Sequence, residues 1–194
     1  MTPRKAVDKE LSRERIVDAA RALFARKGYH AISMRAIAEE LGYTPGAFYY
    51  HFKEKAELFS LIVAEDFARL DALLAGTLAG PPHPSLSPLE TILIEFIRFG
   101  LDNRHAFEIM FLIADPELMK YSQPYSARSY DQFAAAVLKT SELPGTDPQL
   151  MQKIWALFIS IRGFVQFFLH SQQSFEDVRS LAEVQVRMLS RGLA

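Results

Sequence analysis

Within residues 44–51, Thr44, Tyr49, Tyr50 and His51 bring hydroxyl and imidazole donors together, and Arg35, Lys53 and Lys55 flank them with positive charge. Donors of these types suit phosphate oxygens, and on a narrow element they also reach base edges in a groove. Gly46 and Ala47 sit among them with almost no side chain. A glycine inside a helix costs about 0.5–1 kcal/mol relative to alanine, so its presence predicts a close approach by something else. A DNA backbone or base edge is the candidate. Arg35 points the same way, because a cation in the first turn of a helix opposes the macrodipole by about 0.3–1 kcal/mol, a penalty that a bound polyanion reverses. The competing reading is a solvated arginine beside the polar face of a packed aromatic.

The elements that must hold these residues are legible around them. Ser33 is placed to cap a helix that buries Met34, Ile37, Ala38 and Leu41, and Gly42 ends it in a left-handed turn with Tyr43 filling the corner. Thr44 then caps a second helix with Pro45 at its first position, where a missing amide costs nothing. This helix runs only to about His51, below the roughly 12 residues needed for marginal helicity in isolation, so Phe48 and Phe52 must anchor it to a core. Residues 31–58 therefore read as a helix-turn-helix. Upstream, Ser12 to Lys27 carries Ile16, Ala19, Ala20, Leu23 and Phe24 at helical spacing and supplies a supporting helix. Downstream, Glu54 to about Leu78 reads as one long helix leading away from the motif.

The stretch from Arg15 to Phe59 resembles the amino-terminal domain of the TetR family of bacterial transcriptional regulators. The matching residues are Phe24, Lys27-Gly28-Tyr29, Ile37-Ala38, Gly42, Tyr49, His51-Phe52 and Lys55. The resemblance implies a three-helix DNA-binding unit in which Arg35, Thr44, Pro45, Gly46, Ala47, Tyr49, Tyr50, His51 and Lys55 face a double-stranded operator. Two positions depart from the pattern. Tyr43 stands where the family often has valine, and Ala47 leaves a base-facing position without a polar side chain.

Charge follows the motif. The 194-residue chain has a net charge of −1, yet residues 1–60 hold 11 Lys+Arg against 8 Asp+Glu, net +3, and the remainder 11 against 15, net −4. So modest a positive field predicts that affinity rests on doubling through dimerisation and on groove contacts rather than on bulk charge. Arg4, Lys5 and Lys9 suggest either a basic arm for the minor groove or a plain disordered tail. No cysteine is present, which removes disulfides, thiolate-bound zinc and thiol nucleophiles. The first 13 residues lack an apolar signal region, and the apolar run from Ile154 to Leu169 is shorter than a span of about 20 residues and contains Arg162, so a cytoplasmic protein without a membrane helix is expected.

Beyond a breaker at residues 80–88, helices are expected at 89–103, 105–114, 123–140, 148–170 and 175–191, with Pro116 and Leu143-Pro144-Gly145 as punctuation. The fold class is all-α, with a helix-turn-helix domain at 1–52 and a helical ligand-binding and dimerisation domain at 53–194. In the latter, Phe96, Phe99, Phe107, Met110, Phe111, Tyr125, Tyr130, Phe133, Trp155, Phe158 and Arg162 are candidates to line a pocket for a small apolar or aromatic effector, with simple core packing as the alternative for each. Phe164, Phe168, Leu181, Val184 and Met188 lie on helices with more apolar surface than one small bundle needs, which predicts a four-helix homodimer seam, the arrangement the family implies. A weaker likeness to a family subgroup rests on Trp155 and Arg162-Gly163.

An enzyme would need other residues. His51 with Glu54, or His105 with Glu108, share a helix face and could hold a metal only with a third ligand, and no glycine-rich phosphate loop or nucleophile elbow is present. The expectation is a homodimeric regulator, released as a repressor from its operator by an effector, with no catalytic residues, cofactor or metal. A DNA-binding regulator without an effector and a helical metal-dependent enzyme are the alternatives.

Overall fold

The computed structural model describes residues 11–113, 115–140 and 149–192. The basic arm at Arg4, Lys5 and Lys9 and the punctuation at Leu143-Pro144-Gly145 lie outside them. Nine α-helices and no strand occur among the described residues: α1 (Arg13–Lys27), α2 (Met34–Glu40), α3 (Pro45–His51), α4 (Lys55–Ala79), α5 (Pro88–Asp102), α6 (Arg104–Phe111), α7 (Pro116–Thr140), α8 (Leu150–Phe168) and α9 (Phe175–Arg191). The chain is all-α.

Local chemistry sets most boundaries. Ser12 and Ser33 accept from the amides of Arg15 and Ala36, and Ser87 and Ser174 form full capping boxes with Glu90 and Asp177. Such reciprocal bonds satisfy amides that the first turn would leave orphaned. One boundary differs from the sequence expectation. Pro116 opens α7 instead of separating two helices, and Pro124 lies inside it. The first turn lacks amide partners anyway, which suits Pro116, whereas Pro124 must forgo an intrahelical bond and is carried by packing.

Helix α1 rests on α2, α4 and α6, while α4 runs on to pack along α7 and α5, and α5 in turn meets α8 and α9. The expected division between residues 52 and 53 falls just before α4. That helix serves both sides of it: Phe59 meets Phe24 of α1 with ring centroids 5.9 Å apart, and further along Asp71 accepts from the Ser129 hydroxyl of α7 at 2.8 Å. Between these points Asp66, fully buried, accepts from Arg21 Nε of α1 at 2.9 Å. Burial pushes the Asp66 carboxyl up from its ordinary range while Arg21 pulls it down, and the pair ties α4 to α1 through a charge that water cannot reach.

Candidate nucleic-acid interface

The turn between α2 and α3 is built as the spacing requires. Gly42 has φ 78°, the Gly42 amide donates to Glu39 O at 3.0 Å and the Tyr43 amide to Ala38 O at 2.9 Å. This pair of bonds is a Schellman closure, which satisfies the last carbonyls of α2 and needs a residue that tolerates the left-handed region. Thr44 Oγ1 accepts from the Ala47 amide, Pro45 occupies the first helical position, and Phe48 and Phe52 are buried. At its other end α3 is held from α1: Arg13 donates to His51 O at 2.9 Å and lies 4.2 Å above the Phe52 ring. A cation at a helix C-terminus suits the dipole, and a stacked guanidinium adds to it. Sequence reasoning missed Arg13. Its partner lies 38 residues away, and nothing in the local pattern announces the contact.

With Phe48 and Phe52 turned inward, the opposite face of α3 is open. Tyr50 is 82% exposed and Tyr49 about half so, and no hydrogen bond among the described residues holds either hydroxyl. Ala47 is exposed, His51 is half-buried with its ring edge-on to Tyr50, and a Cβ added at Gly46 would meet no atom within 4 Å. Arg35 stands in the first turn of α2, exposed, with Glu39 at 3.5 Å, one turn along. The candidate residues Arg35, Thr44, Pro45, Gly46, Ala47, Tyr49, Tyr50 and His51 thus belong to two consecutive short helices joined by one tight turn.

Lys55 is engaged differently. Its ammonium donates to Tyr29 O at 2.9 Å and to Ile32 O at 2.8 Å and sits 4.1 Å over the Tyr29 ring, so burial lowers its pKa. In this structure it staples the α1–α2 turn to the start of α4. A phosphate contact would have to use its remaining proton or displace a carbonyl.

The aromatic set from the second half of the chain is brought together, ring against ring. Phe96, Phe107, Phe111, Phe133 and Phe158 contact one another at centroid distances of 4.9–6.3 Å, and all but the half-buried Phe111 are buried. Tyr130 meets both Phe158 and the half-exposed Trp155. Met110 is buried, Tyr125 is half-buried on α7, and Phe99 faces a separate cleft shared with Arg69 and Arg98. Arg162 lies over the Phe111 and Phe158 rings and donates to Phe111 O at 2.8 Å, while its Nε is buried without a partner and its pKa is lowered by burial. It closes the C-terminus of α6.

Of the candidate seam residues, Leu181, Val184 and Met188 are exposed on α9, Phe164 is half-buried, and Phe168 is turned inward at 9% exposure. The open phenylalanine on α8 is Phe167, at 79%, which the sequence reading passed over. Helical phase separates the neighbours: Phe168 falls on the stripe of Ile161 and Val165 that packs inward, and Phe167 projects away from it. Among the described residues no group of three or more His, Asp or Glu is arranged to hold a metal, so neither His51 with Glu54 nor His105 with Glu108 acquires a third ligand there. No helix of the described residues is long and apolar enough to cross a membrane.

Comparison with known proteins agrees with this geometry. Residues 16–62 match the family model described as bacterial regulatory proteins, tetR family. The chain is 28% identical to the Transposon Tn10 TetC protein of Escherichia coli over 155 residues, 76% of this chain and 78% of that one. It is 29% identical to the HTH-type transcriptional regulator AcrR of Shigella flexneri over 175 residues, 85% and 81% of the two chains. The crystal structure of a transcriptional regulator of the TetR/AcrR family from Thermobifida fusca YX-ER1 superposes with a TM-score of 0.64 at 25% identity, covering 94% of this chain and 98% of that one.

Proposed function

Because the chain belongs to the TetR family of bacterial regulatory proteins, we propose that it is a ligand-responsive repressor that binds an operator as a homodimer. The observation that carries this reading is α3. It is a seven-residue helix, capped at both ends and anchored by two buried phenylalanines, whose other face offers Tyr49, Tyr50 and an open Gly46 to solvent. A segment this short has no reason to display aromatics and glycine together unless a surface is to be laid against it. A major groove accepts a helix of this kind, with the hydroxyls of Tyr49 and Tyr50 and the His51 ring on phosphates and the Gly46-Ala47 edge toward bases. Arg35 supplies a further phosphate contact from α2.

Two copies are needed for affinity. The positive charge on the first 60 residues is small, so one copy gives weak and strongly salt-dependent binding, and a pair fixes two reading helices about 34 Å apart or a multiple of it. The exposed side chains of Phe167 on α8 and Leu181, Val184 and Met188 on α9 support a partner face on these two helices. In the division of labour we propose, residues 1–52 read DNA and residues 53–194 bind the effector and the second copy, with α4 transmitting movement between them.

The reading is tested by electrophoretic mobility shift on the DNA upstream of the protein's own coding sequence. A palindromic fragment should be retarded with a steep fall in affinity as salt rises, and absence of any specific shift at low salt refutes the proposal.

A further inference from the structure

A cleft of about 420 Å3 runs along the seam where α1 rests on α6, within the size range of sites for small molecules. Phe24, Ala25 and Tyr29 wall it from the DNA-reading side, and Ile109, Leu112 and Leu118 wall it from the other. Across its rim His30 Nε2 meets Asp115 Oδ2 at 2.5 Å, joining segments 85 residues apart in sequence. None of the interlocked aromatic residues of the second half lines this space.

The lining restricts what fits. Lys27 faces Glu108 across the lining, and His30 and Asp115 are already spent on each other. Among the described residues the buried side-chain polar atoms without a partner are Asp66 Oδ1 and Arg162 Nε, and neither lines the cleft. The interior therefore offers hydrocarbon and no buried side-chain donor or acceptor waiting to be matched. A charged ligand would lose hydration there with nothing to replace it, whereas an uncharged apolar one gains from every wall.

We propose that the α1–α6 cleft is a binding site for a small, uncharged, mainly apolar molecule. Its occupant separates α1 from α6 and breaks the His30–Asp115 link, so α1, and α3 which hangs from it through Arg13, shift against α4. This consequence, though not the binding itself, rests on the effector-controlled reading above.

The neutral fluorophore N-phenyl-1-naphthylamine, which brightens in apolar surroundings, tests the site on the full-length protein. Saturable binding is expected, weakened at least about tenfold in Leu112→Trp, which fills the cleft. The same loss is expected in Ala25→Cys after alkylation with N-phenylmaleimide, whose thiol is unique because the chain has no cysteine. Both proteins should keep the helical circular dichroism of the parent. Met188→Glu, which alters the exposed face of α9, should bind the probe as before. No saturable binding, binding that survives both blocked forms, or binding that Met188→Glu abolishes overturns the proposal. If the probe occupies the cleft but leaves DNA affinity unchanged, the site stands and its coupling to α1 and α3 falls.

Discussion

Gly46 is not required by the free protein. Its φ is outside the left-handed region, and a Cβ there would touch nothing within 4 Å, so neither backbone nor packing excludes alanine. Gly42, at φ 78°, and Gly100, whose Cβ would come within 2.6 Å of Val165, are required by turn and by packing respectively. Gly46→Ala should therefore stabilise the protein by about 0.5–1 kcal/mol in thermal or urea unfolding. It should also weaken operator binding, because the added methyl occupies the surface proposed to lie against DNA. An alanine variant with intact affinity would remove the close-approach argument. Tyr50→Phe, by contrast, loses only a hydroxyl from an 82% exposed ring, so stability should stay within about 0.5 kcal/mol. Its affinity should fall about equally for operator and unrelated DNA, the signature of a phosphate contact, and a loss confined to the operator would assign Tyr50 to bases instead.

Among the helices, the joint between α1 and α4 holds a buried ion pair on the path along which the proposed regulator would carry its signal. Arg21 bonds Asp66 at 2.9 Å and Asp18 at 2.6 Å, and Asp66 has no exposure at all. Arg21→Met keeps most of the stem's volume but leaves the buried carboxylate with only Arg69, half-exposed and 3.7 Å away, a loss of up to about 3–5 kcal/mol at neutral pH. The sign of its pH dependence follows from the direction of the shift. Burial already raises the Asp66 pKa above 3.8, and without Arg21 it rises further, so the folded variant prefers the protonated acid. Stability of the variant is then greatest near the ordinary carboxylate range and declines as pH rises through the raised pKa. Urea unfolding at about pH 5 and pH 7.5 should show the deficit relative to the parent growing with pH, and a deficit that shrinks with pH would mean that Asp66 is not the stranded group. This joint also marks the limit of what the sequence discloses. Caps and turns such as Ser33, Gly42 and Thr44-Pro45 are legible because both partners lie within a few residues. The Arg21–Asp66 pair, the Lys55 staple and the Arg13 cap on α3 join residues 23–45 apart, and no periodicity announces them. Pro116 misleads for the opposite reason: a residue that punctuates chains locally here opens a 25-residue helix, whose first turn needs no amide from it. The aromatic residues of the second half were recognisable as inward-facing, but whether they surround a space or fill it depends on ring angles that composition does not carry.

For the molecule as a whole, the exposed apolar face at Phe167, Leu181, Val184 and Met188 would tie assembly to DNA affinity in the dimer proposed above. Two basic units of net charge near +3 bind a duplex far better joined than apart, since the second engagement becomes intramolecular and the number of neutralised phosphates doubles. Val184→Glu combined with Met188→Glu places two like charges beside their symmetry-related copies in any two-fold seam built on α9. Both positions are exposed in the single chain, so the fold itself should lose little, and helical circular dichroism should be unchanged. Sedimentation should then report monomers under conditions where dimers are expected of the parent. In the same protein the slope of log affinity against log salt on operator DNA should fall to about half, because each bound chain now releases counterions for one half-site alone. A monomeric variant that kept the parent's slope would mean that both reading helices still reach the duplex together, and the seam would have to lie on another face.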